Sequence, residues 1–196
     1  NNISLFLGSN IHLVAYPINT KNEINLIAII RKNLDKKILN NKNFFNLKDN
    51  IDELTSASLI QGNNDLQNIF RNTDDLKCFP IFTSNKIHQV KQKNIFFLGD
   101  AFYVTPPTFA QGASQSIEAA DELFHILNED NEKSLNKYFV SRVKRIKMIN
   151  RRSKLNYFIF HISNPILVAI RNVILKIVVN NKIFLNEYLG KIYLKK

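Results

Sequence analysis

The 196-residue chain has one cysteine, one methionine, five glycines and five prolines. A lone Cys78 excludes an internal disulfide and any cysteine-based metal cluster, and a reducing cytoplasmic setting is the default. His12, His88, His125 and His161 are scattered without metal-ligand spacing, so no metal site is expected. Gly8, Gly62, Gly99, Gly112 and Gly190 are the only glycines, which leaves no Gly-x-Gly-x-x-Gly phosphate loop. No uninterrupted apolar run reaches the roughly eighteen residues that span a bilayer. Asn164-Pro165 and Arg171 interrupt the most hydrophobic part. The first residues are polar and lack the order of a secretory signal, so the reading is a soluble or membrane-peripheral cytoplasmic protein. The chain begins Asn1-Asn2, and its single methionine is Met148; it reads as a fragment.

Acidic charge is what the C-terminal part lacks. Ser141 to Lys196 holds thirteen Lys or Arg against Glu187 alone, a balance of +12 within a total of +11. Such a surplus suits nucleic acid or anionic lipid. Lys, Asn and Ile are abundant throughout, however, and the preferred reading is a solvated face. Arg142, Lys144, Arg145, Lys147, Arg151, Arg152 and Lys154 would form it, with peripheral membrane contact open and no nucleic-acid partner expected.

What is present has a clear order. Ile3–Leu7, Ile11–Ile18 and Glu23–Ile30 are short β-branched runs separated by Gly8-Ser9-Asn10 and Asn19 to Asn22, the pattern of an antiparallel meander. Pro17 cannot donate to a ladder and belongs at a strand end. Asn40 to Asp75 reads as one or two short helices, with Ile51, Leu54 and Leu59 at helical spacing. "KCFPIF", "IHQV" and "NIFFL" read as strands, the last one buried. Ile117, Ala120, Leu123, Phe124 and Leu127 predict a helix that buries this face. A second helix is expected over Glu132–Asn150 and a third past Tyr157, broken at Ser163-Asn164-Pro165, with Pro165 opening Ile166–Val179.

The stretch "FFLGDAFYVTPPTFAQGASQSIEAADEL" carries the chemistry. A strand ending at Gly99-Asp100 would put a carboxylate past the sheet edge, where it can accept from polyol hydroxyls. Pro106-Pro107 stiffens the next turn. Gln111-Gly112-Ala113 would then expose helix N-terminal amides to an anionic or electron-rich group, and Gly112 lets a flat ring approach. The same residues also read as an Asp-capped loop and an ordinary helix start.

Gly99-Asp100-Ala101, Pro107, Gln111-Gly112-Ala113 and Ile117-Glu118-Ala119-Ala120 resemble the second flavin-binding motif of FAD-dependent aromatic-ring monooxygenases, the salicylate hydroxylase-like and para-hydroxybenzoate hydroxylase-like enzymes. The spacing from Gly99 to Gln111 fits without a gap; Tyr103 stands where the family commonly has His, and Ala110 where it commonly has Gly. The resemblance implies a mixed α/β chain, the C-terminal portion of a two-domain flavoprotein. Residues 1–90 would belong to an antiparallel substrate-side sheet, 91–130 to the strand–loop–helix flavin motif, and 131–196 to C-terminal helices packing on the flavin domain. It implies FAD as cofactor and NAD(P)H as reductant, with dioxygen hydroxylating a small aromatic or isoprenoid-like substrate. Asp100 would bind the ribityl chain, Pro106 and Pro107 would lie beside the isoalloxazine ring, and the Gln111, Gly112 and Ala113 backbone would face its pyrimidine end, with Gly99 and Ala101 also among the cofactor-binding residues. Tyr16 and Pro106 are candidate substrate contacts. No catalytic side chain is assigned, and the isolated fragment is expected to bind FAD weakly or not at all. Alternatives are a related flavin-dependent reductase or epoxidase, and a non-enzymatic basic module for membranes or nucleic acid.

Overall fold

A computed structural model of the chain describes residues 3–18, 23–34, 62–71, 77–89, 95–128 and 132–193. It is a mixed α/β structure that divides into two compact units, one of Asn1–Pro80 with Phe158–Lys196, the other of Ile81–Tyr157.

The first unit is built on an antiparallel sheet of β1 (Ser4–Gly8), β2 (Ile11–Pro17) and β3 (Ile24–Ile30), in that spatial order. Gly8 pairs with Ile11 across a two-residue turn in which Asn10 takes φ 59°, a left-handed conformation that Asn tolerates well. The expected meander is therefore present, and Pro17 closes β2 opposite Ile24. Pairing puts Phe6 and Ala28 on either side of Leu13, and Leu26 beside Ala15. This face, with Ile11, meets Leu66 and Phe70, four residues apart on α1 (Asn64–Arg71). Asn63 caps α1 by accepting from the Asp65 and Leu66 amides. That helix lies within the stretch where one or two were expected; Ile51, Leu54 and Leu59 lie outside the described residues.

The opposite face of β2 carries His12, which is fully buried. Its ring packs edge-on against Phe160, and its Nδ1 lies 3.1 Å from His161 Nε2. The same His161 nitrogen is 3.3 Å from the Ile29 carbonyl oxygen, which can only accept. A proton on His161 Nε2 satisfies both neighbours and leaves His12 Nδ1 as an acceptor. Burial, and then the nearby His161, push the His12 pKa from 6.5 down to about 4. The folded state thus holds His12 neutral where the unfolded chain would protonate it. Stability is full above pH 6.5 and falls as the pH drops toward about 4. The expected slope approaches about 1.4 kcal/mol per pH unit in that window. Urea unfolding across this range will show the slope, and His12→Gln will flatten it.

The second unit contains α2 (Gly99–Phe102), a 3₁₀ turn at Pro107–Phe109 and α3 (Gly112–Leu127). It also holds most of α4 (Glu132–Phe160). The second and third expected helices are this single 29-residue α4. Between Glu132 and Phe160 there is no Gly or Pro to interrupt it. Its buried residues Tyr138, Arg142, Ile146, Ile149 and Ser153 follow steps of three and four. The break at His161–Asn164 falls where expected. Asn164 accepts from the Ile166 and Leu167 amides, and Pro165 opens α5 (Pro165–Val179). Two short helices complete the first unit, α6 (Lys182–Tyr188) and α7 (Gly190–Tyr193).

Three expected strands do not form. Lys77–Phe82, Ile87–Gln89 and Ile95–Leu98 join no sheet among the described residues. Phe79, Phe82, Ile95, Phe96 and Phe97 are exposed rather than buried. An apolar run becomes a strand only when a neighbouring edge accepts its ladder.

Candidate functional site

Gly99 begins the site without a strand before it, so Asp100 sits in the first turn of the short α2 instead of past a sheet edge. Gly99 has φ +54°, and a Cβ there would lie 2.2 Å from Ser116 Oγ on α3. Only glycine lets α2 approach α3 so closely. Beyond α2 the chain is extended and held by its own neighbours. His88 N–H donates to Phe102 O at 3.0 Å, Ser84 N–H to Val104 O at 2.9 Å, and Val104 N–H to Ser84 Oγ at 2.9 Å. Tyr103 accepts from Asn150 Nδ2 at 2.9 Å, tying the loop to α4, and burial raises its phenol pKa. A side chain that can make this bond stands where the family commonly has His.

Pro106 is buried and Pro107 opens the 3₁₀ turn, whose Thr108 hydroxyl donates to Ser153 O at 3.0 Å. Ala110 follows in the left-handed region, with φ 52° and ψ 35°. This accounts for a glycine at the matching position of the resembled motif: the conformation costs a Cβ-bearing residue about 1 kcal/mol. Ala110→Gly is expected to raise stability by about 1 kcal/mol, read from urea unfolding.

From Gln111 the chain enters α3. The Gln111 side chain makes no capping bond to the α3 amides, while Gly112, Ala113 and Ser114 are exposed. Their N–H groups, at the positive end of a 16-residue helix, have no intrahelical acceptor. A Cβ on Gly112 would meet nothing within 4 Å, so the surface over this turn is open.

The buried side of α3 is polar. Gln115, Ala119 and Leu123 face inward, whereas Ile117, Phe124 and Leu127, expected inside, are exposed, as is Ala120. The reason lies on α4. Arg142 is 3% exposed and donates to Glu118 at 2.6 Å, to Glu122 at 3.4 Å, and to Gln115 Oε1 and O at 2.9 and 3.3 Å. Arg145 grips the same Glu118 through Nε and a terminal nitrogen, both at 3.1 Å. Gln115 Nε2 donates to Gln111 and Glu118, and Tyr138 OH donates to Ala119 O. Burial alone would raise the Glu118 pKa, but the hydrogen bonds and charges of the two arginines outweigh it and hold the carboxyl below its ordinary value. A buried arginine left unpaired would be far costlier than an apolar residue left in water. The helix therefore turns its carboxylates inward. Arg142 and Arg145 thus leave the solvated basic face expected of them, while Lys144, Lys147, Arg151 and Lys154 remain exposed.

Beside this network is a cavity of about 510 Å³. Phe96, Phe97, Phe102 and Phe139 supply aromatic lining, and His88, Gln115, Tyr138 and Arg142 contribute polar groups. Gly99, Asp100 and Gly112 also line it; Ala101, Pro106, Pro107, Gln111 and Ala113 do not. Tyr16 belongs to the sheet of the first unit, where its hydroxyl accepts from Asn25 Nδ2 at 2.6 Å. The polar network was missed in the sequence, although Gln115, Glu118 and Glu122 recur at three- and four-residue steps opposite Arg142 and Arg145 at a three-residue step. Among the described residues no group of three or more His, Cys, Asp or Glu is arranged to hold a metal ion. No helix there is long and apolar enough to cross a membrane. Comparison with family models and with curated proteins finds no match.

Proposed function

We propose that the loop from Gly99 to Ala113 is one side of an FAD site, in the C-terminal portion of a two-domain monooxygenase acting on a small aromatic or isoprenoid-like substrate. The observation that carries the reading is the uncapped, open start of α3 at Gly112, with Asp100 and Gly112 lining one cavity. A planar heterocycle needs unobstructed backbone to lie against, and Gly112 provides it. A ring that gains negative charge on reduction needs donors already in place, and the amides of Gly112, Ala113 and Ser114 are such donors. Asp100 is exposed and can accept from sugar-alcohol hydroxyls, and Pro106-Pro107 keeps the intervening backbone rigid.

FAD, when bound, supplies hydride acceptance from NAD(P)H and the activation of dioxygen for transfer to an electron-rich substrate. The protein's part is to bind, orient and exclude water. The four phenylalanines lining the cavity suit a flat apolar ligand, and their bulk would keep solvent from a reactive group. No nucleophile or acid–base pair is required of the side chains.

Asp100→Ala is expected to weaken FAD binding about tenfold, the loss of a charge-assisted hydrogen bond. Because Asp100 is exposed, the thermal unfolding midpoint should not change. Titration followed by quenching of flavin fluorescence measures the first quantity and circular dichroism the second. Equal affinity in the variant and the parent would remove Asp100 from the site.

A further inference from the structure

One surface of the first unit lies apart from the candidate flavin loop. On α5, Ile166, Leu167, Ile170, Val173, Ile174 and Ile177 are between 47% and 70% exposed. At 100° per residue they fall on one stripe roughly 120° wide. Arg171 points the other way: it is buried, and its guanidinium donates to Asn172 Oδ1 and to Ile159 O. Ile183 and Phe184 of α6, which packs against α5, are also exposed. Six large apolar side chains grouped on one helix face are more than the scattered exposed hydrophobics common on protein surfaces.

We infer that the exposed face of α5 docks in the plane of an anionic lipid bilayer. Charge selects this occupant. α5 carries no carboxylate; Lys176 lies at the flank of the stripe and Lys182 follows at the start of α6, both exposed. The one acid of this region, Glu187, is already paired with Lys191. Lysines at the border of an apolar stripe bury their stems and lift their charges to headgroup level. A second copy meeting this face across a two-fold axis would bring these lysines toward their own counterparts with no carboxylate on α5 to answer them. Phosphate headgroups answer them directly. Fifteen residues of helix measure roughly 22 Å, short of the roughly 30 Å hydrocarbon core, so the helix lies along the surface and does not cross. The flavin reading offers this face another occupant, the flavin domain on which residues 131–196 would pack, and the vesicle test below separates the two.

The test is sedimentation of the full chain with phosphatidylcholine vesicles, and with vesicles containing about one-third phosphatidylglycerol. Partitioning is expected to be at least about tenfold greater on the anionic vesicles and to fall at high salt. Ile170→Glu with Ile177→Glu is expected to abolish it, and Lys176→Glu with Lys182→Glu to reduce it about tenfold or more. The lysine variant leaves the apolar face intact, so it decides the matter if the isoleucine variant fails a circular-dichroism check of folding. No binding to either vesicle would overturn the inference, as would lysine variants that bind like the parent. Sedimentation velocity showing a dimer that the isoleucine substitutions dissociate would give the face to a second copy instead.

Discussion

Replacing Arg142 by alanine is expected to remove about 3–5 kcal/mol of stability, the largest effect of any single substitution considered for the Ile81–Tyr157 unit. The guanidinium is buried and makes four hydrogen bonds to Gln115, Glu118 and Glu122. Truncation leaves Glu118 with Arg145, but leaves Glu122 and the buried Gln115 carbonyl without this donor. Lysine should recover little of the loss, because an ammonium cannot reproduce a fork that reaches three side chains and a backbone carbonyl at once. Acid supplies an independent reading of the same network. Glu118 titrates below its ordinary value of 4.5, so its contribution is complete above that pH and is lost as the pH falls through the depressed pKa. The Arg142→Ala variant should lose part of that acid dependence and keep the rest, because Arg145 still holds Glu118. Urea unfolding at neutral and acidic pH measures both effects; a cost under about 1 kcal/mol would mean that the arginine is far better hydrated than its burial indicates.

Gly99→Ala carries the second large effect, an expected loss of about 2–5 kcal/mol. Two terms add. A Cβ residue at φ +54° pays about 1–2 kcal/mol in the left-handed region. The methyl would also lie 2.2 Å from Ser116 Oγ and 3.1 Å from Ser116 Cβ, which forces the serine to rotate. That rotation breaks its bond to Gly112 O, and residual crowding costs a further 1–3 kcal/mol or so. The crowding is relievable and the backbone strain is not. In a Ser116→Ala background the same substitution should cost less by about 1 kcal/mol, which a double-mutant cycle will read directly. Equal costs in both backgrounds would show that α2 moves away from α3 instead of straining against it.

Particular residues show how far the sequence could be read. The meander was legible because alternation, turn residues and Pro17 all agreed on the same strand ends. Asn164-Pro165 was legible for the same reason: a capping side chain and a fixed φ mark one place. The inward face of α3 was not, because Ile117, Phe124 and Leu127 form a sound apolar stripe and still lie outside. What decided the rotation of that helix is a pair of arginines some twenty-five residues away, and periodicity within one helix carries no information about them. "NIFFL" failed for a related reason, since strand formation depends on an edge that the run itself does not contain. For the candidate site, three of the eight positions expected to hold the cofactor, Gly99, Asp100 and Gly112, line the cavity, and the backbone conformations of the loop were only partly legible. Gly112 was read as an open approach, yet the positive φ at Gly99 and Ala110 appears only in the folded backbone.

The most direct measurement is an amide-resolved NMR titration of the full chain with FAD, raised to saturation or to the solubility limit. The account predicts shifts concentrated at Asp100, Gly112, Ala113 and Ser114, with those at Gly112 and Ala113 largest because their N–H groups would meet the pyrimidine end of the ring. The same resonances should move much less in Asp100→Ala at equal FAD. A titration in which FAD shifts other resonances, such as those of the Asn1–Pro80 and Phe158–Lys196 unit, and leaves these amides unmoved would contradict it.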